Sequence, residues 1–305
     1  MRLDTQCALH AGSNRVQMLA SPYRVRGLSP GRIPRRPRPV FAASLPAVRS
    51  FGVDDEDEIV ASLTEGNDAL PPLVEVVTRV GEDRLKVVKP PGAEDLWDWY
   101  ESKGQMEADP SWGKLWFTSR ILASCVASCV ESLPELRSKR VVEVGCGLGL
   151  AGLSAAMFGG SKSVIFCDRE PLAIHCALSS AALNEVEVVA VDDVNNSSSG
   201  CRVAGALLDW SAPQTLSQPV DVVLGADCLY DPATAALLAS ACHALVAGDG
   251  HVVIAEPENE RAKGCRQAFL EAALQSGATR AEVIHPPPEH QISPNGVLVI
   301  VCWSK

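Results

Sequence analysis

The sequence feature that most constrains the fold is VVEVGCGLGLAGLSAA, at residues 141–156. A short β-branched run stops at three alternating glycines, Gly145, Gly147 and Gly149, and an Ala- and Leu-rich segment follows. This pattern predicts a strand, a tight turn and a helix. Glycine suits the turn because a Cβ would obstruct both the sharp bend and the close approach of a ligand. Since the first N–H groups of the helix point back at the turn, the stretch predicts a ligand site at the end of a strand.

Two classes of cofactor use a turn of this kind. Gly147, Gly149 and Gly152 fit G-x-G-x-x-G, which seats a dinucleotide pyrophosphate on the helix N-terminus. Gly145, Gly147 and Gly149 also fit the E-x-G-x-G-x-G turn typical of S-adenosylmethionine-dependent methyltransferases. Glu143 favours the second interpretation, because a carboxylate in this buried strand needs a partner and would repel a pyrophosphate. A sulfonium cofactor with a cationic tail creates no such conflict.

Strand-like runs alternate with helix-like runs after the turn, which predicts a parallel α/β sheet. Further strands are predicted at 164–168, 202–210, 221–231, 251–257, 281–285 and 296–303, and helices at 112–133, 171–183, 232–246 and 260–276. Residues 186–200 are either an extra edge strand or an insertion, and residues 73–88 have the pattern of a β-hairpin. We therefore expect a Rossmann-like, seven-stranded sheet flanked by helices. Its last two strands form an antiparallel pair, and a β-hairpin and a helix precede it.

Polar and aromatic residues follow several predicted strands at the same edge of the sheet. Asp168 ends the second strand and Trp210 the third, while Asp227 and Tyr230 end the fourth. Open α/β sheets bind ligands at this edge, and an acid after the second strand can accept both hydroxyls of a ribose. Each residue alone also fits a structural role as a helix cap, a core edge or a packed ring. Their convergence predicts a binding site.

Charge divides the chain into a basic leader and an acidic body. Residues 1–50 hold nine Arg, no Lys and one acid, so they carry +8 and the remainder carries −18. The leader is typical of an organelle transit peptide, and RRPRPVFAAS indicates a chloroplast, with mitochondrion and cytoplasm as alternatives. A basic tail that binds nucleic acid is the other interpretation. The acidic body argues against a nucleic-acid partner. We expect a disordered leader at 1–52, an N-terminal extension at 53–111 and the main domain at 112–305.

Cysteine and histidine spacing predicts neither disulfides nor a metal site. The eleven cysteines lie mostly in apolar strand-like and helix-like runs without C-x-x-C spacing, so we expect small buried thiols in a reducing compartment. The histidines have no H-x-x-x-H spacing. No apolar run reaches the ~18 residues of a membrane span, so we expect no membrane partner, and we expect a monomer.

Taken together, the motifs resemble those of methyltransferase family 16, the seven-β-strand enzymes similar to the electron-transfer-flavoprotein-β lysine methyltransferase. The resemblance covers residues 112–305. The glycine motif is shared by all class I methyltransferases, whereas the D-x-x-Y motif at 227–230 narrows the group. The motifs are WGKLW (112–116), VVEVGCGLGLAGL (141–153), CDREP (167–171), LLDW (207–210), GADCLYD (225–231), and Glu260-Arg261 followed by Phe269.

The resemblance implies the cofactor S-adenosylmethionine and a role for each matching residue. The methionine portion would be lined by Glu143, Gly145, Cys146, Gly147 and Gly149, the ribose held by Asp168, the adenine flanked by Trp210, and the pocket completed by Ala226 and Trp116. Two departures are expected near the substrate: the family's W-P is Trp116-Phe117 here, and residues 186–200 are inserted.

The implied reaction is methyl transfer to a lysine side chain of a protein substrate. The amine, with a pKa of ~10.4, must first lose its proton. Asp227 would attract the ammonium, while Tyr230 and a dry channel would lower the pKa of the amine and orient it. The alternatives are a small-molecule methyltransferase, a nucleotide-dependent oxidoreductase and a non-catalytic cofactor-binding protein.

Overall fold

A computed structural model of the protein describes residues 58–63, 70–196, 200–212, 216 and 218–303. The predicted leader at 1–52 lies outside the described residues. The strands are β1 (Glu58–Ser62), β2 (Val74–Val80), β3 (Asp83–Lys89), β4 (Arg140–Val144), β5 (Ser163–Asp168), β6 (Glu187–Val188), β7 (Arg202–Leu207), β8 (Val220–Ala226), β9 (Val246–Pro257), β10 (Arg280–Ile284) and β11 (Gly296–Cys302). The helices are α1 (Ala93–Ser102), α2 (Phe117–Ala127), α3 (Leu150–Met157), α4 (Pro171–Leu183), α5 (Pro232–Leu245) and α6 (Cys265–Gln275).

The main sheet has the order β10-β11-β9-β8-β4-β5-β7-β6. It contains the seven predicted strands. The last two, β10 and β11, pair antiparallel as predicted, and β11 also pairs antiparallel with β9. The eighth strand, β6, is a two-residue edge strand beside β7, so the described part of residues 186–200 contains the extra edge strand that was one of the two predicted alternatives, and a 3-10 turn at Val191–Asp193 follows it. Because β4 lies between β5 and β8, the chain order reverses there, and a crevice opens at the carboxyl ends of these strands.

Two apolar clusters cover the two faces of the sheet. One joins α2, α3 and α4 to strand residues such as Val141 and Val164, and the other joins α5 and α6 to residues such as Val142 and Ile165. Neighbouring residues of one strand thus enter different clusters. Burial on both faces explains why the central strands are continuous apolar runs in the sequence.

The N-terminal hairpin is confirmed, and β1 adds a third antiparallel strand to it. The hairpin packs on α4 through β3: the N–H of Val88 donates to Ser180 Oγ at 2.8 Å, and the N–H of Lys86 donates to Asn184 Oδ1 at 3.1 Å. Its apolar residues belong to the same cluster as α2, α3 and α4. The extension is therefore attached to the main sheet by a shared core. Among the described residues, no helix is long and apolar enough to cross a membrane.

The helix predicted at 112–133 is shorter than expected. A 3-10 turn at Pro110–Gly113 precedes it, and α2 begins only at Phe117 because Trp116 is extended and caps the helix with its carbonyl. Phe117 takes the first helical position, where proline is favoured in helices generally. At the other end, Cys129 has a left-handed φ of 50° and is exposed, so the prediction of a buried helical thiol was wrong there. All ten cysteines in the described part of the chain are free.

The helix predicted from residue 260 begins instead at Cys265. The Glu260 carboxylate accepts the N–H groups of Gly264 and Arg266, at 3.3 and 2.7 Å, and so caps α6 from outside. Residues 260–264 form a connecting segment between β9 and α6. This segment carries Arg261 to the edge of the sheet where the predicted site residues lie.

Candidate functional site

A cavity of about 590 Å³ lies at the carboxyl ends of the central strands. Its volume is in the range of small-molecule and cofactor sites. The structure brings every predicted site residue to its lining: Trp116, Glu143, Gly145, Cys146, Gly147, Gly149, Asp168, Trp210, Ala226, Asp227 and Tyr230. By contrast, no described residue between 186 and 200 lines it, although this part of the chain was expected near the substrate.

The floor of the cavity is the glycine turn between β4 and α3. Gly145, Gly147 and Gly149 all have left-handed φ angles, of 55°, 49° and 74°. A Cβ on Gly145 would lie 3.0 Å from the Trp210 ring, and one on Gly147 would lie 3.1 Å from the Trp112 carbonyl oxygen. The turn therefore requires glycine for its conformation as well as for the contact with the cavity walls.

Glu143 has a different partner from the one that the sequence suggested. Its buried carboxylate accepts the N–H of Gly152 at 2.7 Å, in the first turn of α3. The carboxylate therefore has a partner within the protein and does not require a cationic ligand in the cavity. Desolvation by burial raises its pKa to about 8, despite the opposing backbone hydrogen bonds. The raised pKa favours the protonated form at pH 7, which weakens the repulsion argument against a pyrophosphate.

Asp168 connects the glycine turn to the next helix. Its Oδ2 accepts the N–H of Gly147 at 2.9 Å, and its Oδ1 accepts the N–H of Glu170 at 3.0 Å. Burial raises the pKa of the carboxyl, and the two backbone donors oppose that rise. Each carboxylate oxygen has two lone pairs, so both keep acceptor capacity toward the cavity that they line.

Two aromatic rings form one wall. Trp210 packs against Gly145, and its ring centroid lies 6.4 Å from that of Tyr230. Tyr230 is 46% exposed, so its ring reaches the mouth of the cavity, and partial burial raises the pKa of its hydroxyl. The wall thus presents aromatic faces both inside and at the opening.

Asp227 is paired inside the protein. Its carboxylate accepts hydrogen bonds from Arg261 Nε and, at 2.6 Å, from Arg261 Nη2, and Thr118 Oγ1 donates to it at 3.1 Å. The Asp227 side chain is only 3% exposed, and the Arg261 guanidinium lies 4.5 Å from the centroid of the Trp116 ring. The prediction of a free carboxylate for a substrate ammonium therefore needs correction, because an arginine already holds the charge.

Two of these partners have no role predicted from the sequence. Arg261 belongs to a quoted motif, but nothing in its spacing indicates a contact with Asp227, and Thr118 carries no signal at all. Both reach Asp227 because the start of α2 and the segment after β9 lie at the same edge of the sheet.

Three features fit a cofactor that contains adenosine: the glycine turn, the acid after β5 and the aromatic wall. A comparison with a protein family decides between a dinucleotide and S-adenosylmethionine. A family model described as lysine methyltransferase matches residues 104–275, more than half of the chain. The chain belongs to this lysine methyltransferase family. Its cofactor is S-adenosylmethionine. Of the two interpretations of the glycine turn, the methyltransferase one is therefore confirmed.

Individual proteins match this chain over shorter stretches or at low identity. Ribosomal protein L11 methyltransferase of Wolinella succinogenes is 44% identical over 62 residues, 20% of this chain and 21% of that protein. The chain thus spans about a fifth of that relative's length. A TehB-like S-adenosylmethionine-dependent methyltransferase from Corynebacterium glutamicum shares 18% identity, covering 70% of this chain and 98% of its own, with a TM-score of 0.41. The fibrillarin pre-rRNA processing protein of Methanococcus jannaschii shares 12%, covering 82% and 100%, with a TM-score of 0.43.

We expect Asp168→Ala to weaken S-adenosylmethionine binding by about 2–3 kcal/mol, because it removes a buried acceptor that also orients Gly147. Titration calorimetry measures the change. Asp231→Ala is the matched control, since Asp231 caps α5 near the same edge of the sheet and is absent from the cavity lining. An affinity within threefold of the wild type, or binding of NADH in place of S-adenosylmethionine, would contradict this assignment.

Proposed function

We propose that the protein transfers the methyl group of S-adenosylmethionine to a lysine side chain of another protein. The observation that carries the proposal is the D-x-x-Y loop, defined as residues 227–230, which borders the cofactor cavity in a chain of the lysine methyltransferase family. Asp227, Cys228 and Tyr230 of this loop line the cavity. The loop follows β8 directly, at the centre of the sheet.

The aromatic mouth of the cavity suits a lysine side chain. S-adenosylmethionine supplies a methyl group already activated by its sulfonium, so the protein has mainly to position an uncharged amine. Tyr230, at the mouth of the cavity, offers a ring face to the alkyl stem and to the ammonium before it loses its proton, a contact worth about 0.5–2 kcal/mol. A partly desolvated amine also has a lowered pKa, which favours the reactive form.

Asp227 enters this proposal together with Arg261. The ion pair holds the carboxylate in one orientation at the edge of the cavity, and the arginine in turn packs on Trp116. An amine that gains positive charge during transfer experiences the carboxylate at a fixed position, because Asp227 lines the cavity whereas Arg261 does not. Fixed charges of this kind stabilise a transition state without reorganisation.

Charge supports a basic protein as the substrate. Residues 51–305 carry a net −18, and Glu107, Asp109 and Glu170 also line the cavity. Long-range attraction to a lysine-rich surface follows from this excess of negative charge.

We also propose the chloroplast as the compartment, from the composition of residues 1–50. A reporter fused to this leader and found in mitochondria would contradict this proposal.

The experiment is a transfer assay with S-adenosylmethionine labelled in its methyl group. Organelle extract treated with the protein should acquire label in the protein fraction, and acid hydrolysis should release it as methyllysine. The Gly147→Val variant serves as the control for enzyme-dependent transfer. Label confined to the low-mass fraction would identify a small-molecule methyltransferase instead. Cofactor binding without any transfer would identify a non-catalytic binding protein.

A further inference from the structure

A buried glutamate on the neighbouring strand holds the D-x-x-Y loop. Glu256, near the end of β9, is 2% exposed, and its Oε1 accepts the N–H groups of Cys228 at 3.1 Å and Leu229 at 3.0 Å. The preceding residue of β9, Ala255, accepts the N–H of Asp227 at 2.9 Å. Three consecutive N–H groups of the loop are therefore fixed by two consecutive residues of one strand.

The loop needs this support because its backbone is not relaxed. Asp227 has a left-handed φ of 57°, which residues other than glycine rarely adopt and which surrounding contacts must maintain. The same residue holds Arg261, and Tyr230 stands three positions further at the mouth of the cavity. Any change in the backbone at 228 and 229 would move both side chains.

We propose that Glu256 is a positioning residue for methyl transfer, which sets the D-x-x-Y loop by accepting two of its N–H groups without touching cofactor or substrate. This inference rests on the proposed function. Glu256 does not line the cavity, so its effect must pass through the loop. Nothing in the sequence indicates it, since Glu256 lies 28 residues from Cys228 and in no motif.

The raised pKa of the Glu256 carboxyl favours its neutral form at pH 7. Burial and the nearby Asp227 raise its pKa to about 8, while the two backbone donors and Arg266 oppose the rise. The other groups that interact with it electrostatically are Cys228 on the loop, Arg261 in the connecting segment and Cys265 at the start of α6. A glutamine offers the same acceptor oxygen at the same reach. An aspartate keeps the acid but is one methylene shorter.

The test compares Glu256→Gln with Glu256→Asp in the full chain, by hydrogen–deuterium exchange, cofactor titration and steady-state transfer. We expect the Gln variant to keep slow exchange at Cys228 and Leu229 and a kcat within about threefold of wild type at pH 7. We expect the Asp variant to exchange these two amides at least ~10-fold faster and to lose ~100-fold in kcat, a loss typical of a misplacement of about 1 Å. S-adenosylmethionine affinity should stay within about threefold in both.

A pH profile separates positioning from simple stability. Above pH 8 the wild-type Glu256 carboxyl ionises beside Asp227, whereas the amide of the Gln variant cannot ionise. The ratio of the two kcat values should therefore be constant below about pH 7 and change through pH 8. Fast exchange in the Gln variant, or full kcat in an Asp variant whose amides exchange fast, would overturn the proposal. Exchange is measured without a substrate, so a chain that methylates no lysine refutes the proposed function while the exchange pattern still reports on Glu256.

Discussion

Gly147→Val is expected to abolish S-adenosylmethionine binding while the sheet stays folded. Valine would have to adopt a φ near 49°, and its Cβ would lie 3.1 Å from the backbone oxygen of Trp112. Relief of either conflict rotates the peptide whose N–H donates to Asp168. One substitution therefore disturbs both the floor of the cavity and the acid predicted to hold the ribose. Calorimetric titration should detect no binding up to about 100 times the wild-type Kd, a loss of at least ~2.7 kcal/mol.

The control for Gly147→Val is Gly277→Val. Gly277 follows α6 with a φ of 96°, and nothing lies within 4 Å of the Cβ that it would acquire. This variant carries the backbone strain of a branched residue in the left-handed region, but far from the cavity lining. We expect it to lose some thermal stability and to bind the cofactor like the wild type. Cofactor binding by Gly147→Val within tenfold of that control would show that the turn does not form the floor of the site.

The fold was predictable because the sequence patterns that indicate its strands, turns and helices each lie within a short stretch of the chain. Three alternating glycines after a β-branched run indicate one turn, and continuous apolar runs such as residues 221–226 indicate strands buried on both faces. Once the strands are placed, the parallel topology brings their carboxyl ends to one edge. Asp168, Trp210 and Tyr230 could therefore be assigned to one cavity from sequence position alone.

The electrostatics of the site could not be predicted in the same way, because the partners are distant in sequence. Asp227 meets Thr118 across 109 residues and Arg261 across 34. The segment that carries Arg261 was predicted as helix, but α6 begins only at Cys265, and Glu260 caps it from outside. The carboxylate of Glu143 accepts a hydrogen bond from the N-terminus of α3, nine residues later in the sequence. The buried acid therefore has a partner in the protein, and its presence in the strand did not indicate a cationic ligand.

The largest effect on catalysis is expected from Asp227→Asn. The substitution keeps the size of the side chain and the contact with Thr118, but it removes the charge that pairs with Arg261 and that, in the proposed reaction, lies beside the acceptor amine. We expect kcat to fall by at least ~100-fold, the usual loss when one fixed electrostatic contact to a transition state is removed. S-adenosylmethionine affinity should change by less than about threefold, since Asp168 and the glycine turn are untouched. The measurement combines labelled methyl transfer with cofactor titration.

The strand itself provides the matched control. Asp221 lies near the start of β8, the strand that leads into the D-x-x-Y loop, and pairs with Arg140 at 3.1 Å. Asp221→Asn therefore removes one partly buried ion pair from this strand without touching the cavity lining. If loss of an ion pair merely loosened β8, the two variants would lose transfer together, in proportion to their thermal stability. A role in transfer requires that Asp227→Asn lose activity while Asp221→Asn, equally or more destabilised, retains it. Full activity of Asp227→Asn would show that the carboxylate has no role in transfer. The aromatic residues at the mouth of the cavity would then be the main contact with the amine.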